Sequence, residues 1–309
     1  MILAAAAAFP SAATASRVRA FEWTGTALGA DASILLYADE KKEARAAIGA
    51  CVAEIERLEK IFSLYRPASE ISRLNRTGNL AAASHDMVRL LQLSRRMHVT
   101  TQGLFDPTVQ PLWEFYRDWY AADPRRRAPC EGEISPLLLR VGMDKISVGG
   151  GAVICEPGTR ITLNGIAQGY ITDRVAGILR RRGWKNVLID LGEVRALDAR
   201  PDSSPWQIRI RETGQSVPLA DAALATSSGG ALAFDSSGTA THIFSPLTGR
   251  GPALWHAVTV QHTSAAVADA LSTALAAATP GQLKEISQAE KEARIWAAHR
   301  DGTIIEYGA

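Results

Sequence analysis

The chain has 309 residues, 47% hydrophobic and 21% charged, with 34 Lys and Arg against 32 Asp and Glu for a formal net charge of +2. This excludes wholesale disorder, which needs low hydrophobicity and high net charge, and the length suits roughly two domains or one large one with a full core. The near-balanced charge gives no electrostatic case for nucleic acid, and three cysteines (Cys51, Cys130, Cys155) without a CxxC spacing argue against a zinc site or a disulfide framework.

Residues 1–20 (MILAAAAAFPSAATASRVRA) join an apolar run to small residues at Ala13, Ala15 and Ser16, as in a secretory signal, but lack its basic start. The segment reads as an export signal or as an Ala-rich disordered tail. Export is the expectation: a periplasmic protein of a bacterium, with the cytoplasm as the alternative, and residues 21–309 as one domain. No other stretch approaches 18 uninterrupted apolar residues, so no membrane span is expected.

Residues 21–38 read as two strands around Gly29. Ile48, Cys51, Val52, Ile55, Leu58 and Ile61 predict a helix over 41–62 with one buried stripe. A polar loop broken by Pro67 follows, in which Ser69 is placed to cap a short turn from Glu70. A second amphipathic helix is expected over 85–98, ended by Gly103. Residues 113–135 are aromatic first and loop-like after. KISV and AVIC flank Gly149-Gly150-Gly151 as a hairpin, and RITL (160–163) reads as a further strand. A helix is expected over 165–182, with Asn164 as N-cap, three arginines in its last turn and Gly183 as its stop. Short strands are expected at 186–191, 206–211, 222–226, 242–244 and 257–260. A helix over 265–278, capped by Ser264, a helix over 282–288 and a hairpin of 293–299 with 303–307 close the chain. Strands and helices mix without strict βαβ alternation, which favours an α+β fold with mixed or antiparallel sheets.

Four constellations could carry chemistry. Asp269 stands in an otherwise apolar helix with Ser272 and Thr273 at i+3 and i+4 on the same face. These are hard oxygen donors suited to Mg²⁺, or equally a buried Asp satisfied by hydroxyls. LNGIAQGY (163–170) follows a strand and opens a helix, where free N–H groups favour phosphate and Gly165 and Gly169 allow close approach; any capped helix would look alike. His242 precedes a Pro-Leu-Thr-Gly turn, and histidine carries protons near neutral pH, although a lone histidine is more often structural. Asp106 before Pro107, in GLFDPT, is a common turn pair. Neither GxGxxG opening a helix nor GxxxxGK[ST] occurs.

In this order, SLYRPASEISRLNR, TQGLFDPTVQPLW, TLNGIAQGYITDRVAGILRRRGWKNVLIDLGE, ALATSSGG, HIFSPLTGR and VTVQHTSAAVADALSTAL resemble the ApbE family, the FAD:protein FMN transferases, from about Leu28 to Leu275. The resemblance implies an α+β enzyme with a nucleotide cleft. It would use Mg²⁺ to split FAD, join FMN to a Thr or Ser hydroxyl of an acceptor flavoprotein and release AMP. Asp269 and Thr273 match side-chain metal ligands, with Ser272 beside them, and Gly165 matches a carbonyl ligand. Leu28, Ser63, Leu104, Phe105, Asp106, Thr162 and Gln168 match FAD contacts, and His242 the histidine beside the reacting phosphate. Asp269 and His242 are therefore the candidate catalytic residues. The chain departs from the family pattern at Gln168 (usually Lys), at Ser245 (usually Asp), in Thr226-Ser227-Ser228-Gly229-Gly230, which lacks the acidic residue, and at Gly192-Glu193 (usually Gly-Gly). A flavin carrier without transfer activity and a Mg²⁺-dependent FAD pyrophosphatase are the alternatives.

Overall fold

The structure, a computed structural model, describes residues 18–308. Most of the expected signal-like segment, residues 1–17, lies outside the described residues.

β1 (Arg19–Ala27) takes in two residues that the sequence reading left in the N-terminal segment, and pairs with β2 (Ala30–Ala38) around Leu28 and Gly29. α1 (Lys41–Phe62) matches the expected span to the residue and buries Ala44, Ala47, Cys51, Ile55, Leu58 and Ile61. The Ser69 hydroxyl accepts from the Ser72 N–H at 3.1 Å and starts α2 (Glu70–Thr77), which runs into the short β3 (Asn79–Leu80). α3 (His85–Thr100) follows.

The aromatic stretch, to which the sequence pattern assigns no element, is helical: α4 (Gln110–Ala121) carries Pro111 in its first turn, where the missing N–H costs nothing. A second unexpected helix, α5 (Glu131–Leu138), starts where the Glu133 carboxylate accepts from the Cys130 N–H at 2.7 Å.

β4 (Ile146–Gly149) and β5 (Ala152–Cys155) form the expected hairpin. RITL is not a strand. The Asn75 amide takes a neighbouring strand's place there, accepting from the Ile161 N–H (2.7 Å) and donating to its carbonyl (2.8 Å). α6 (Ala167–Arg181) begins two residues later than expected, with Ile166 rather than Asn164 at the cap position and no side-chain cap.

β6 (Val187–Asp190), β7 (Val194–Leu197), β8 (Trp206–Arg209), β9 (Ser216–Leu219) and β10 (Ala223–Ser228) come next. Residues 242–244 do not form a strand, since pairing there stops at the single bridge Ala233–Thr241. β11 (Trp255–His262), α7 (Ala265–Ala276), α8 (Pro280–Ala289), β12 (Arg294–His299) and β13 (Ile304–Tyr307) complete the chain.

Eight strands form one antiparallel sheet in the order β1-β2-β6-β7-β10-β11-β12-β13. The alternation of its strands sends Ile34, Leu36, Ile189, Val258, Val260 and Ile295 into the main core beneath α1, α3, α6 and α7. The β8–β9 hairpin covers the opposite face with Trp206, Ile208, Val217 and Leu219. A third cluster joins α4 and α5 to Phe234 and Phe244. The result is the α+β fold with packed helices that the sequence pattern implies.

α7 explains how the site is assembled. Among its residues only Thr273 is not fully buried, and alanines make up half the helix. Small side chains let α6 come in against its first turn: a Cβ added at Gly169 would sit 2.3 Å from the Ala265 carbonyl oxygen.

Candidate active site

The close approach of α6 and α7 brings the first two constellations together. Asp269 on α7 is 3% exposed, and its Oδ2 accepts from the Gly169 N–H of α6 at 3.0 Å. Gly165 faces Thr273 so closely that a Cβ there would lie 2.8 Å from Thr273 Oγ1. Ser227, near the end of β10, joins from the sheet, 2.8 Å from Ser272 Oγ and 3.3 Å from Thr273 Oγ1. The fully buried Ser272 also donates to the Asp269 carbonyl at 3.0 Å, so its hydroxyl is occupied within the helix and Thr273 is the more open of the two.

The turn between β6 and β7 closes the group. Gly192 adopts φ +99°, where a side chain is strained, and a Cβ there would fall 2.4 Å from the Gln168 amide nitrogen. Glu193 beside it is 7% exposed. Burial pushes the Asp269 carboxyl up to about 7, against the pull of the Gly169 N–H. Burial first, then the charges of Asp269 and Asp190, hold Glu193 well above the usual carboxylate range. No cationic side chain acts on either acid among the described residues. Buried carboxylates without a cation must take up protons or a metal ion. One carboxylate with hydroxyls and a free carbonyl is an oxygen-only donor set that fits Mg²⁺, and the described residues contain no cluster of three or more His, Cys, Asp or Glu that would suit a softer metal.

One cleft lies near two expected nucleotide contacts in the chain, Ser63 preceding its Leu64 and Thr162 falling between its Arg160 and Asn164, although neither of the two lines it. It has a volume of about 480 Å³ and is lined by Leu64, Tyr65, Asn75, Trp113, Arg160 and Asn164 among others. Ser63 caps the end of α1, and its carbonyl accepts from the Ser69 hydroxyl at 2.7 Å. The Thr162 N–H donates to the Pro107 carbonyl at 2.7 Å, tying this wall to the Asp106 turn. Asp106 is itself committed: one oxygen accepts from the Thr108 N–H (2.8 Å) and hydroxyl (2.5 Å), and the other lies 3.3 Å from His98. The Asp106 partner raises the His98 pKa. Leu104 and Phe105 are buried in the main core. Leu28 sits at φ +48° in the β1–β2 turn, its N–H held by Glu59 at 2.8 Å.

His242 lies on the loop between β10 and β11. Its Nδ1 is 3.1 Å from the Leu232 carbonyl, which can only accept, so Nδ1 carries the proton and Nε2 keeps a lone pair. Burial lowers its pKa, so the ring is neutral at pH 7. The sequence marks Ser227 and Glu193 only as departures from the family pattern, not as site residues, and does not single out the cleft residues Asn75, Trp113 and Arg160. Only the Gly-Glu pair at the end of a buried strand gave any signal of Glu193.

The α+β fold thus sets a buried acid–hydroxyl cluster at a helix start, next in the chain to Asn164 of the 480 Å³ cleft. Residues 28–296 match the ApbE family, and the chain belongs to it. An FAD:protein FMN transferase from Vibrio cholerae is 29% identical over 235 residues, 72% of this chain and 70% of that one. The apo form of the Pseudomonas stutzeri flavinyl transferase ApbE superposes with a TM-score of 0.77 at 26% identity, covering 94% of this chain and 96% of that one. The ApbE protein of Thermotoga maritima gives 0.80 at 25% identity, covering 94% and 97%.

Proposed function

We propose that this chain transfers FMN from FAD to a Thr or Ser hydroxyl of an acceptor flavoprotein and releases AMP. The observation that carries the reading is the meeting of Gly165 and Gly169 with Asp269 and Thr273 at one helix start, near a cleft whose lining includes the aromatic residues Tyr65 and Trp113. Family membership and the transferase relatives support it.

Asp269, Thr273 and the Gly165 carbonyl, with Ser272 alongside, are the residues that would hold Mg²⁺, which when bound supplies positive charge against the pyrophosphate. The acceptor oxygen bonds to the FMN phosphorus, the phosphoanhydride bond to AMP breaks, and the hydroxyl proton passes to Nε2 of His242. A neutral histidine is suited to that step, because a hydroxyl is a weak nucleophile without a base. The α6 start favours the phosphate charge. We also read residues 1 to about 16 as an export signal absent from the mature protein and infer a periplasmic site of action. The intact N-terminus on cytoplasmic protein would refute that part.

The test incubates the protein with FAD and Mg²⁺, with and without an acceptor domain bearing the target Thr, and follows AMP and the acceptor's mass. AMP together with a covalent FMN adduct, only when acceptor is present, is the expected result. AMP with free FMN in its absence would make the protein a pyrophosphatase, and no AMP in either case a carrier.

A further inference from the structure

A second cleft lies on the other side of α6. It runs between α3 and α6 over the first turn of α7, with a volume of about 660 Å³, larger than the 480 Å³ cleft lined by Tyr65 and Trp113. Arg89 and Arg96 project from α3, seven residues apart with Leu93 between them, and Arg174 and Arg181 from α6 at the same seven-residue spacing. That spacing stacks side chains on one helix face two turns apart. Four guanidinium groups therefore border one groove.

The acids nearby do not neutralise them. Arg174 alone is paired, to Glu54 at 3.1 Å and to Asp86 at 3.9 Å. Asp173 also lines the cleft, but its oxygens accept from the Ser264 hydroxyl (2.7 Å), the Ala265 and Ala266 N–H groups (3.0 and 3.1 Å) and Arg195 (2.8 Å). Arg89, Arg96 and Arg181 have no hydrogen bond or ion pair among the described residues, and residues 1–17 contain no Asp or Glu to supply one. Converging like charges repel, and a groove with focused positive potential draws anions. The guanidinium fork matches phosphate oxygens two at a time. Leu93 and Val267 add apolar surface, and the volume lies in the range of small-molecule sites.

We propose that the α3–α6 cleft is a second binding site, separate from the FAD cleft, for a small polyphosphate anion, either a nucleoside polyphosphate or inorganic polyphosphate. It does not depend on the transferase reading.

Calorimetric titration of ATP and of inorganic tripolyphosphate into the full chain saturated with FAD tests it. One equivalent binds, with an affinity that does not change when FAD is doubled. Arg96→Glu and Arg181→Glu each weaken it about tenfold or more, the scale of one lost charge-assisted hydrogen bond, while FAD affinity and melting temperature stay at the wild-type values. Arg96→Gln and Arg181→Gln give smaller losses in the same direction. ATP binding well above tripolyphosphate assigns the nucleoside form, and equal affinities assign the inorganic one. The proposal is overturned if neither probe binds, if FAD competes, if the arginine substitutions change nothing, or if a polyglutamate peptide binds and the phosphates do not.

Discussion

Asp269→Asn separates the role of the site's buried carboxylate from its burden on folding. The substitution keeps size and the acceptor for the Gly169 N–H but removes the charge. Burial raises the folded carboxyl to about 7, while in the unfolded chain it titrates near 3.9. A carboxyl raised in this way favours the protonated folded form. Without metal, the folded state is penalised as pH climbs past the unfolded value, and the penalty levels off above the folded one. At about 1.4 kcal/mol for each pH unit between the two, it reaches a few kcal/mol at pH 8, is smaller at pH 5, and vanishes once the pH falls below the unfolded value. Removing the charge also brings Glu193 back toward its ordinary range, since Asp269 is one of the charges that raise it. In EDTA, Asp269→Asn therefore melts above wild type by several °C at pH 8 and by clearly less at pH 5, taking about 2 °C per kcal/mol at this size. Added Mg²⁺ raises the wild-type melting point at pH 8 and leaves the variant unmoved, while FMN transfer by the variant falls at least about 10²-fold. Equal stabilisation at both pH values, or a lower melting point at pH 8, would defeat the electrostatic argument. Undiminished transfer would remove Asp269 from the chemistry.

Gly165→Ala places a methyl 2.8 Å from Thr273 Oγ1; transfer should drop about tenfold or more with only a small change in melting temperature, and an unchanged rate would show that this close approach has no functional weight. Gly169→Ala meets backbone rather than a movable side chain, 2.3 Å from the Ala265 oxygen, so it should cost about 3 kcal/mol or more in urea unfolding; a cost under about 1 kcal/mol would mean that the two helices separate easily. His242→Ala should slow transfer by about 10² to 10⁴ while FAD affinity holds. Because burial lowers the His242 pKa, the acidic limb of the wild-type rate profile should lie below pH 6.5 and be absent from the variant; an equal loss of FAD affinity and rate would assign the ring to phosphate binding instead.

How much could be read in advance differed by element, for physical reasons. α1 followed to the residue from its 3-4 apolar spacing, and the starts of α2 and α7 from Ser69 and Ser264, because stripes and caps are local signals. α4 was hidden by its own Pro111 and by partly buried aromatic residues, Trp113, Phe115 and Trp119, that blur the Leu112–Tyr116–Tyr120 stripe. RITL carries a strand's composition, but its would-be partner is a single Asn75 side chain, 86 residues away in sequence. The same contrast holds at the site. The i, i+3, i+4 spacing put Asp269, Ser272 and Thr273 on one helix face before any coordinates. That Ser227 would reach Ser272, or that Glu193 would share Asp269's burial, depends on sheet register and helix approach, which no local pattern encodes.

The small residues of α6 and α7 tie the fold to the chemistry. Gly165 in the turn before α6, Gly169 within it and the alanines of α7 remove side chains that would hold the axes apart, and the space gained is occupied by a carboxylate and a hydroxyl rather than by apolar packing. That choice weakens the metal-free fold, since Asp269 and Glu193 lie buried near each other with no cation to offset them. A sequence selected for stability alone would put Asn or Leu at position 269. Perturbed acids of this kind concentrate where a protein must hold positive charge against a ligand, and a phosphoanhydride about to lose its leaving group is such a ligand. The destabilisation at Asp269 and the proposed transfer of FMN are therefore two consequences of one arrangement, and Asp269→Asn should remove both together.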